Sequence, residues 1–196
     1  MIRADWDAIE FTKTRGWERR DREDDELDRY EGLVAWCERR GLLSAAQARG
    51  FRHQASERPE QARTALEDAR SLRSLMYEVL KSAGRGQPLS GEDLRRVTDW
   101  VQRFSGARRL VRAQSGIRWA WALDRYRLDH PLAPIAWSFG ELLTAPELGR
   151  VRVCDADDCG WLFVDASRSG SRRWCEASGC GNLVRVREFR ARRARR

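Results

Sequence analysis

Apolar residues recur with the spacing of an α-helix along most of the first 150 residues. The clearest stripe runs from Pro59, which suits the first turn of a helix, to Gly84, where the pattern stops. Ser44 and Gln47 have the spacing of a capping box and predict the start of another helix, which extends to about residue 55. Further helices are predicted at 28–40, 90–104 and 131–143, which makes about five in total. The residues expected on the core face of the helix that Ser90 begins are Leu94, Val97, Val101 and Phe104.

Between residues 110 and 123 the pattern changes to the alternation of a β-strand. Two such segments flank Gln114-Ser115-Gly116, so the sequence predicts a β-hairpin. The residues expected to be buried by its second strand are Ile117, Trp119, Trp121 and Leu123. After the next helix, the segment 144–147 has the residues of one further helix cap.

The charge is concentrated at the end of the chain. The 196 residues contain 38 basic and 30 acidic residues, which gives a net charge of +8, and 36 of the basic residues are arginines. Residues 150–196 contain twelve arginines and six acidic residues, so they carry +6 of that charge. Four of the five cysteines also lie in this part. We therefore predict two domains, 1–149 and 150–196.

The composition also excludes several classes of protein. No apolar run reaches the roughly 18 residues of a membrane span, so no membrane partner is expected. The first residues lack the apolar segment of a secretory signal, which predicts a cytoplasmic protein. The sequence contains no phosphate-binding glycine loop, nucleophile elbow or open metal motif, so we expect no enzyme activity.

Four cysteines are spaced as Cys154-x4-Cys159-x15-Cys175-x4-Cys180. Two close pairs separated by a short hairpin are typical of a tetrahedral thiolate zinc site, and four cysteine ligands leave no open position for catalysis. We therefore predict one structural Zn²⁺. In the predicted hairpin, a strand at 161–165 pairs with the returning segment 172–174, in a treble-clef-like arrangement.

An arginine-rich helix is predicted after Cys180, with Asn182 as its cap. Leu183, Val186 and Phe189 are expected to pack this helix on the zinc hairpin, and the arginines then point outward. Such a basic helix beside a zinc site is typical of nucleic-acid binding. The arginines that we expect at duplex DNA are Arg168, Arg172, Arg173, Arg185, Arg187, Arg190, Arg192 and Arg193.

Residues 150–193 closely resemble the CGNR zinc finger. The resemblance rests on both cysteine pairs, Gly160-Trp-Leu-Phe, Ser167-Arg, Ser171-Arg-Arg-Trp-Cys175 and Cys180-Gly-Asn. The upstream part resembles the ABATE domain at Leu33-Val-Ala-Trp, Gly41-Leu-Leu-Ser44, Arg118-Trp-Ala-Trp and Glu141-Leu-Leu-Thr. Two positions depart from the pattern: Leu183 stands where the motif has its final arginine, and Phe11-Thr-Lys-Thr14 replaces Phe-Val-Asn-Thr.

The resemblance implies a stress-induced bacterial transcription regulator that binds double-stranded DNA through its finger, within the nucleoid. The fold class expected is α+β and mostly helical, with a helical N-terminal domain that carries the hairpin. That domain is expected to sense a small-molecule effector or to form a homodimer. Trp119, Trp121 and Trp17 are the candidates for a ligand pocket, although ordinary core packing is the better explanation for them. The alternative function is a zinc-stapled module that binds protein or RNA through the same surface.

Overall fold

The computed structural model describes residues 2–15, 25–114 and 116–194. Trp17 and Ser115 lie outside these residues. Within them the fold is mostly helical, with two small antiparallel hairpins. The seven α-helices of the described residues are α1 (Asp7–Thr12), α2 (Tyr30–Arg39), α3 (Ala45–Glu57), α4 (Pro59–Gly84), α5 (Gly91–Arg103), α6 (Ala133–Thr144) and α7 (Asn182–Ala194). The four strands are β1 (Arg108–Ala113), β2 (Gly116–Trp121), β3 (Val151–Val153) and β4 (Leu162–Val164).

The helix boundaries follow the local signals in the sequence. Ser44 and Ser90 each accept a hydrogen bond from the backbone three residues later and complete capping boxes at α3 and α5. Pro59 begins α4 and Gly84 ends it, as the pattern predicts. Helix α1 was not predicted, because six residues are too few to show a helical period. It is held by burial of its apolar side chains against α4 and α6.

Two predictions about local burial and capping are wrong. Leu94 of α5 is 48% exposed, whereas Val97 and Phe104 are buried, so the core face of this helix is narrower than expected. The expected cap at 144–147 is absent, because Thr144 ends α6 and its hydroxyl donates to the carbonyls of Gly140 and Glu141.

The predicted hairpin forms, but only part of its predicted burial is confirmed: Trp121 and Leu123 are half-buried against the core, whereas the outer two residues are not. β1 and β2 pair in antiparallel register, with Leu110 opposite Trp119 and Arg112 opposite Ile117. Ile117 is 75% exposed and Trp119 is 54% exposed, so neither belongs to the core. Alternation marks one apolar face of a hairpin, but it does not establish that another element covers that face.

The second hairpin connects the cysteine-rich part to the helices. β4 pairs with β3 in the register Val151↔Val164, and not with 172–174 as predicted. Successive side chains of a strand point to opposite faces. Leu162 and Val164 therefore pack with Val151 in the helical core, while Phe163 packs beside the cysteines.

Helix α4 lies directly against this hairpin. The hydroxyl of Tyr77 donates to the carbonyl of Gly160 at 3.1 Å. A Cβ atom on Gly84 would lie 3.1 Å from the Val151 carbonyl oxygen, so the end of α4 approaches β3 closely. The apolar core thus extends across residue 150, and the division into domains 1–149 and 150–196 stays a prediction.

Candidate metal centre and nucleic-acid interface

The four clustered cysteines converge on one point. Their sulfur atoms all lie within 4.8 Å of one another. The sulfur of Cys175 is 3.7 Å from that of Cys159 and 3.6 Å from that of Cys180. The first pair is brought to this point by the strand end after β3 and a turn, in which the Cys159 N–H donates to the Ala156 carbonyl.

The sulfur spacing fits a tetrahedral zinc ion. With a Zn–S bond of about 2.3 Å, the edges of a ZnS₄ tetrahedron are about 3.8 Å long. A disulfide would instead require a sulfur separation of about 2.05 Å, and all four cysteines are free thiols. Because four thiolates complete the tetrahedron, no position is left for a substrate or a catalytic water. The cluster is a site for one structural Zn²⁺, formed by Cys154, Cys159, Cys175 and Cys180.

Backbone hydrogen bonds hold the two cysteine loops together. The Cys154 N–H donates to the Trp161 carbonyl at 2.8 Å, which closes the first loop. The Asp155 N–H donates to the Arg173 carbonyl at 3.0 Å, and the Cys175 N–H donates to the Cys154 sulfur at 3.4 Å. These last two bonds bring the second loop to the first, so the backbone itself positions the ligands.

The four thiols perturb one another because they lie so close together. The pKa of Cys159 is lowered to about 5, first by the hydrogen bond from Cys175 and also by the Trp161 N–H. Burial raises the pKa of Cys180 to about 12, and the contact with Cys159 raises that of Cys175. Four neighbouring thiols cannot all ionise unaided, whereas a divalent cation stabilises the thiolates and releases their protons.

Asp165 organises the loop between the pairs, and sequence reasoning did not identify it. This fully buried carboxylate accepts from the Ser167 N–H at 2.9 Å, the Ser167 hydroxyl at 2.6 Å and the Arg172 N–H at 2.9 Å. Arg150 donates to the carbonyls of Asp165 and Ser167 on the other side. The available signal was the Asp-x-Ser spacing after an apolar strand, which is typical of an Asx turn.

Helix α7 follows the zinc ligands, but its packing differs from the prediction. A turn of π type, Ala177–Gly181, carries Cys180 into the helix. Asn182 has helical dihedral angles, so it lies inside the helix and is not its cap. Val184 packs beside the cysteines and Leu183 is half-buried, whereas Val186 and Phe189 are exposed.

Four of the eight predicted DNA-binding arginines contact the zinc module itself. Arg172 lies over the Phe163 ring and donates to the carbonyls of Trp174 and Cys175. Arg173 pairs with Asp155 at 2.9 Å, and Arg187 pairs with Asp158 at 2.8 Å. The fourth, Arg185, donates to the Ala177 carbonyl at 3.2 Å. Exposed pairs contribute little stability, but the contacts of Arg185 and Arg187 join α7 to the module and orient it there.

The other four arginines are exposed. Arg193 lies over the Phe189 ring. Within the described part of the chain, Arg168, Arg190 and Arg192 have neither an ion pair nor a side-chain hydrogen bond. The structure therefore places two of these arginines at the far end of α7 and one on the loop between the cysteine pairs.

The tryptophans predicted to form a pocket contact an arginine of their own hairpin. The guanidinium of Arg108 lies 4.9 Å from the ring of Trp119 and 5.8 Å from that of Trp121. It also lies 4.3 Å from Trp137 of α6, which packs edge-on against Trp121. Trp17 falls outside the described residues, and ligand binding by these tryptophans stays a prediction.

Comparison with known families agrees with this arrangement. The model of the ABATE family, "Putative stress-induced transcription regulator", matches residues 8–146. The model of the CGNR zinc finger matches residues 150–193. A search of curated proteins gives no match. No helix in the described ranges combines the length and hydrophobicity needed to cross a membrane. The family resemblance predicted from the sequence is confirmed: the chain belongs to the ABATE family, and its C-terminal part is a CGNR zinc finger.

Proposed function

We propose that this protein is a bacterial transcription regulator that binds duplex DNA through its zinc module and α7. The observation that carries the proposal is the exposure and charge of α7. No residue of this helix is fully buried, and it contains five arginines and one glutamate. Only Leu183 and Val184 at its start are partly covered, so packing does not explain the arginine-rich remainder of the helix, whereas binding to a polyanion does. The proposal includes no enzymatic step and places the protein with DNA in the cytoplasm.

The outward face of α7 supports contact with a groove of DNA. An α-helix turns by about 100° per residue, so Arg193 lies about 180° and Phe189 about 140° from the packed Val184. Val186 and Arg190 fall on the same outward side. This face combines two apolar side chains with flanking arginines, which suits thymine methyl groups and phosphates, respectively.

The arginines divide into two roles under this proposal. Arg172, Arg173 and Arg187 position the module, since their guanidinium groups contact its own carbonyls and carboxylates. Arg190, Arg192 and Arg193, called the tail arginines below, make the phosphate contacts, together with Arg168 and Arg185. One or two of them read guanine edges, because arginine donates two parallel hydrogen bonds there.

In this proposal the helical N-terminal part binds a small-molecule effector or forms a homodimer. A surface groove of about 440 Å³ lies between α3 and the segment after β2. Its lining combines Phe51 and Leu123 with the polar groups of Gln47, Asp124 and Arg125. Such a mixture suits a small polar effector. The mass in solution, measured by light scattering, tests the homodimer separately.

A second candidate function is a zinc-stapled module that binds protein or RNA. The observation in its favour is again the outward face of α7, because exposed Val186 and Phe189 also suit the apolar groove of a protein partner. A preference for duplex DNA over matched RNA distinguishes the two candidates.

The test is a fluorescence-anisotropy titration of zinc-loaded protein with duplex DNA from its own upstream region, at several salt concentrations. Scrambled duplex and matched RNA serve as competitors. If about six phosphates are neutralised, log K falls with log salt at a slope of about −5. Replacing the three tail arginines by Gln should flatten that slope by about 2 or more.

The matched control replaces three exposed arginines outside the zinc module, Arg49, Arg85 and Arg96, by Gln. These control arginines give the same change in net charge, so an equal loss of slope would reflect overall charge alone. Equal affinity for the upstream duplex, the scrambled duplex and the RNA would contradict sequence-dependent DNA binding.

A further inference from the structure

We propose that the β1–β2 hairpin is a second contact surface for duplex DNA, separate from the zinc module. The inference rests on the proposed function, because it extends the same DNA interface to another element. From residue 105 to residue 123 the chain contains four charged residues, all of them arginines: Arg108, Arg109, Arg112 and Arg118.

The hairpin projects from the body of the protein. No described residue of either strand is buried. The register places Leu110, Ile117 and Trp119 on one face, because cross-strand partners share a face of the sheet. Leu110 is 59% exposed, so these three side chains lie largely in solvent. Trp121 shares their face at the base of the hairpin, where it is half-buried against the core.

The arginines surround this apolar face and fix its base. Arg112 lies on the same face beside Ile117, whereas Arg109 and Arg118 lie on the opposite one. Arg109 and Arg112 have no ion pair or side-chain hydrogen bond within the described residues. At the base of the hairpin, Arg108 packs among three tryptophan rings and lies 3.8 Å from Glu141 of α6.

The dimensions of the hairpin suit a groove of duplex DNA. Six residues per strand give a ribbon about 20 Å long, which corresponds to about six base pairs. The major groove is about 12 Å wide and admits a two-stranded ribbon. The apolar face would contact base edges and thymine methyl groups, while the arginines on both faces reach phosphates on either side.

Two other occupants fit less well. A two-fold pairing with a second copy would bring the same arginines together, which costs energy through like-charge repulsion. An element that binds a membrane surface has an uninterrupted apolar face, and its basic side chains lie on the other face. Here Arg112 stands opposite Ile117 on the apolar face itself, near the outer end of the ribbon.

The test compares three variants of the full-length, zinc-loaded protein in the anisotropy titration. The first replaces the exposed hairpin arginines, Arg109, Arg112 and Arg118, by Gln. It should flatten the salt slope by about 2 to 3, since each lost phosphate contact contributes about 0.9. Trp119→Ala should weaken binding at least about fivefold at constant salt slope, because it removes an uncharged contact. The third variant, with the control arginines replaced, should retain the wild-type slope.

A hydroxyl-radical footprint gives an independent readout. The footprint of the hairpin-arginine variant should be shorter than that of the wild type by about six base pairs, the length of the ribbon. Circular dichroism checks that each variant keeps its helical content.

The outcomes separate this inference from the function on which it rests. If the tail-arginine variant loses slope while the hairpin-arginine variant matches the control in slope and footprint, the hairpin inference is overturned and DNA binding by the zinc module survives. If the wild type shows no preference for duplex DNA, the proposed function itself is overturned. If the hairpin variant loses binding to vesicles of three parts phosphatidylcholine and one part phosphatidylserine but binds DNA normally, the surface belongs to a membrane.

Discussion

Asp165→Asn is the most informative single change in the zinc module, because it keeps the shape of the side chain and removes its charge. In the native loop both carboxylate oxygens accept: Oδ1 from the N–H and hydroxyl of Ser167, and Oδ2 from the Arg172 N–H. An asparagine has one acceptor oxygen and one amide group that donates. In either orientation of the amide, a donor therefore faces a backbone N–H.

The cost follows from that geometry. Leaving one backbone N–H without an acceptor at a buried carboxylate site costs about 1–3 kcal/mol, and we take about 2 kcal/mol. For a chain of this size, each kcal/mol corresponds to about 2–4 °C in Tm, so Tm should fall by about 4–8 °C. The first transition of the zinc-loaded protein in calorimetry, at a fixed concentration of free zinc, measures this shift.

Asp157→Asn is the matched control, since this exposed carboxylate lies in the first cysteine loop and makes no hydrogen bond in the described residues. Its Tm should stay within about 1–2 °C of the wild type, because surface substitutions usually change stability by less than about 0.5 kcal/mol. If Asp165→Asn behaves like this control, the carboxylate does not hold the loop and the reasoning is refuted.

The difference in stability between the wild type and Asp165→Asn should also depend on pH. Burial acts to raise the pKa of Asp165, but hydrogen bonds from Ser167 and the Arg172 N–H outweigh it and hold the pKa below its usual value. A lowered pKa in the folded state stabilises the fold above the unfolded pKa of about 3.9, and this stabilisation is lost as pH falls below it. The Tm difference between wild type and Asp165→Asn should thus be constant from pH 8 to about 5 and narrow below about 4.

Two further predictions concern the metal and the helices. Cys175→Ser should abolish zinc binding and expose the backbone amides of 154–160 and α7 to hydrogen exchange. The amides of β3 and β4 should stay protected, because both strands pack on the helical core. Loss of protection in both strands would mean that zinc binding also stabilises them. Gly32→Ala should lower the free energy of unfolding by about 1–3 kcal/mol, because the new Cβ would overlap the backbone carbonyl of Glu26. In urea denaturation, the control Gly50→Ala, whose Cβ would meet only an arginine side chain at 3.5 Å, should be neutral or slightly stabilising; equal effects of the two would contradict the predicted overlap.

Features set by local chemistry could be predicted from the sequence. The capping boxes at Ser44 and Ser90 and the ends of α4 depend on residues a few positions apart, so the pattern contains them directly. The zinc centre was predictable for a related reason: four thiols in two close pairs have few other uses in one short segment.

Features set by distant contacts could not be predicted. β4 pairs with β3 because Leu162 and Val164 are buried in the helical core. The residues that form this core are distant in the sequence, so the sequence around β4 does not indicate this pairing. The exposed hairpin face and the outward Phe189 have the same cause, since apolar spacing marks a face without showing what covers it. Asp165 was missed because a single aspartate after a strand usually marks only a solvated turn.

The packing of β3 and β4 limits how freely a zinc finger of this kind can be exchanged between proteins. The two family models meet near residue 150, yet Val151, Leu162 and Val164 lie in the core built by the helices. A fragment cut at that boundary would carry an apolar surface that water cannot solvate well. A finger transplanted from a relative would also have to match the close approach at Gly84. Recombination that keeps the two segments together therefore preserves the fold, whereas exchange at the boundary requires compensating changes on α4.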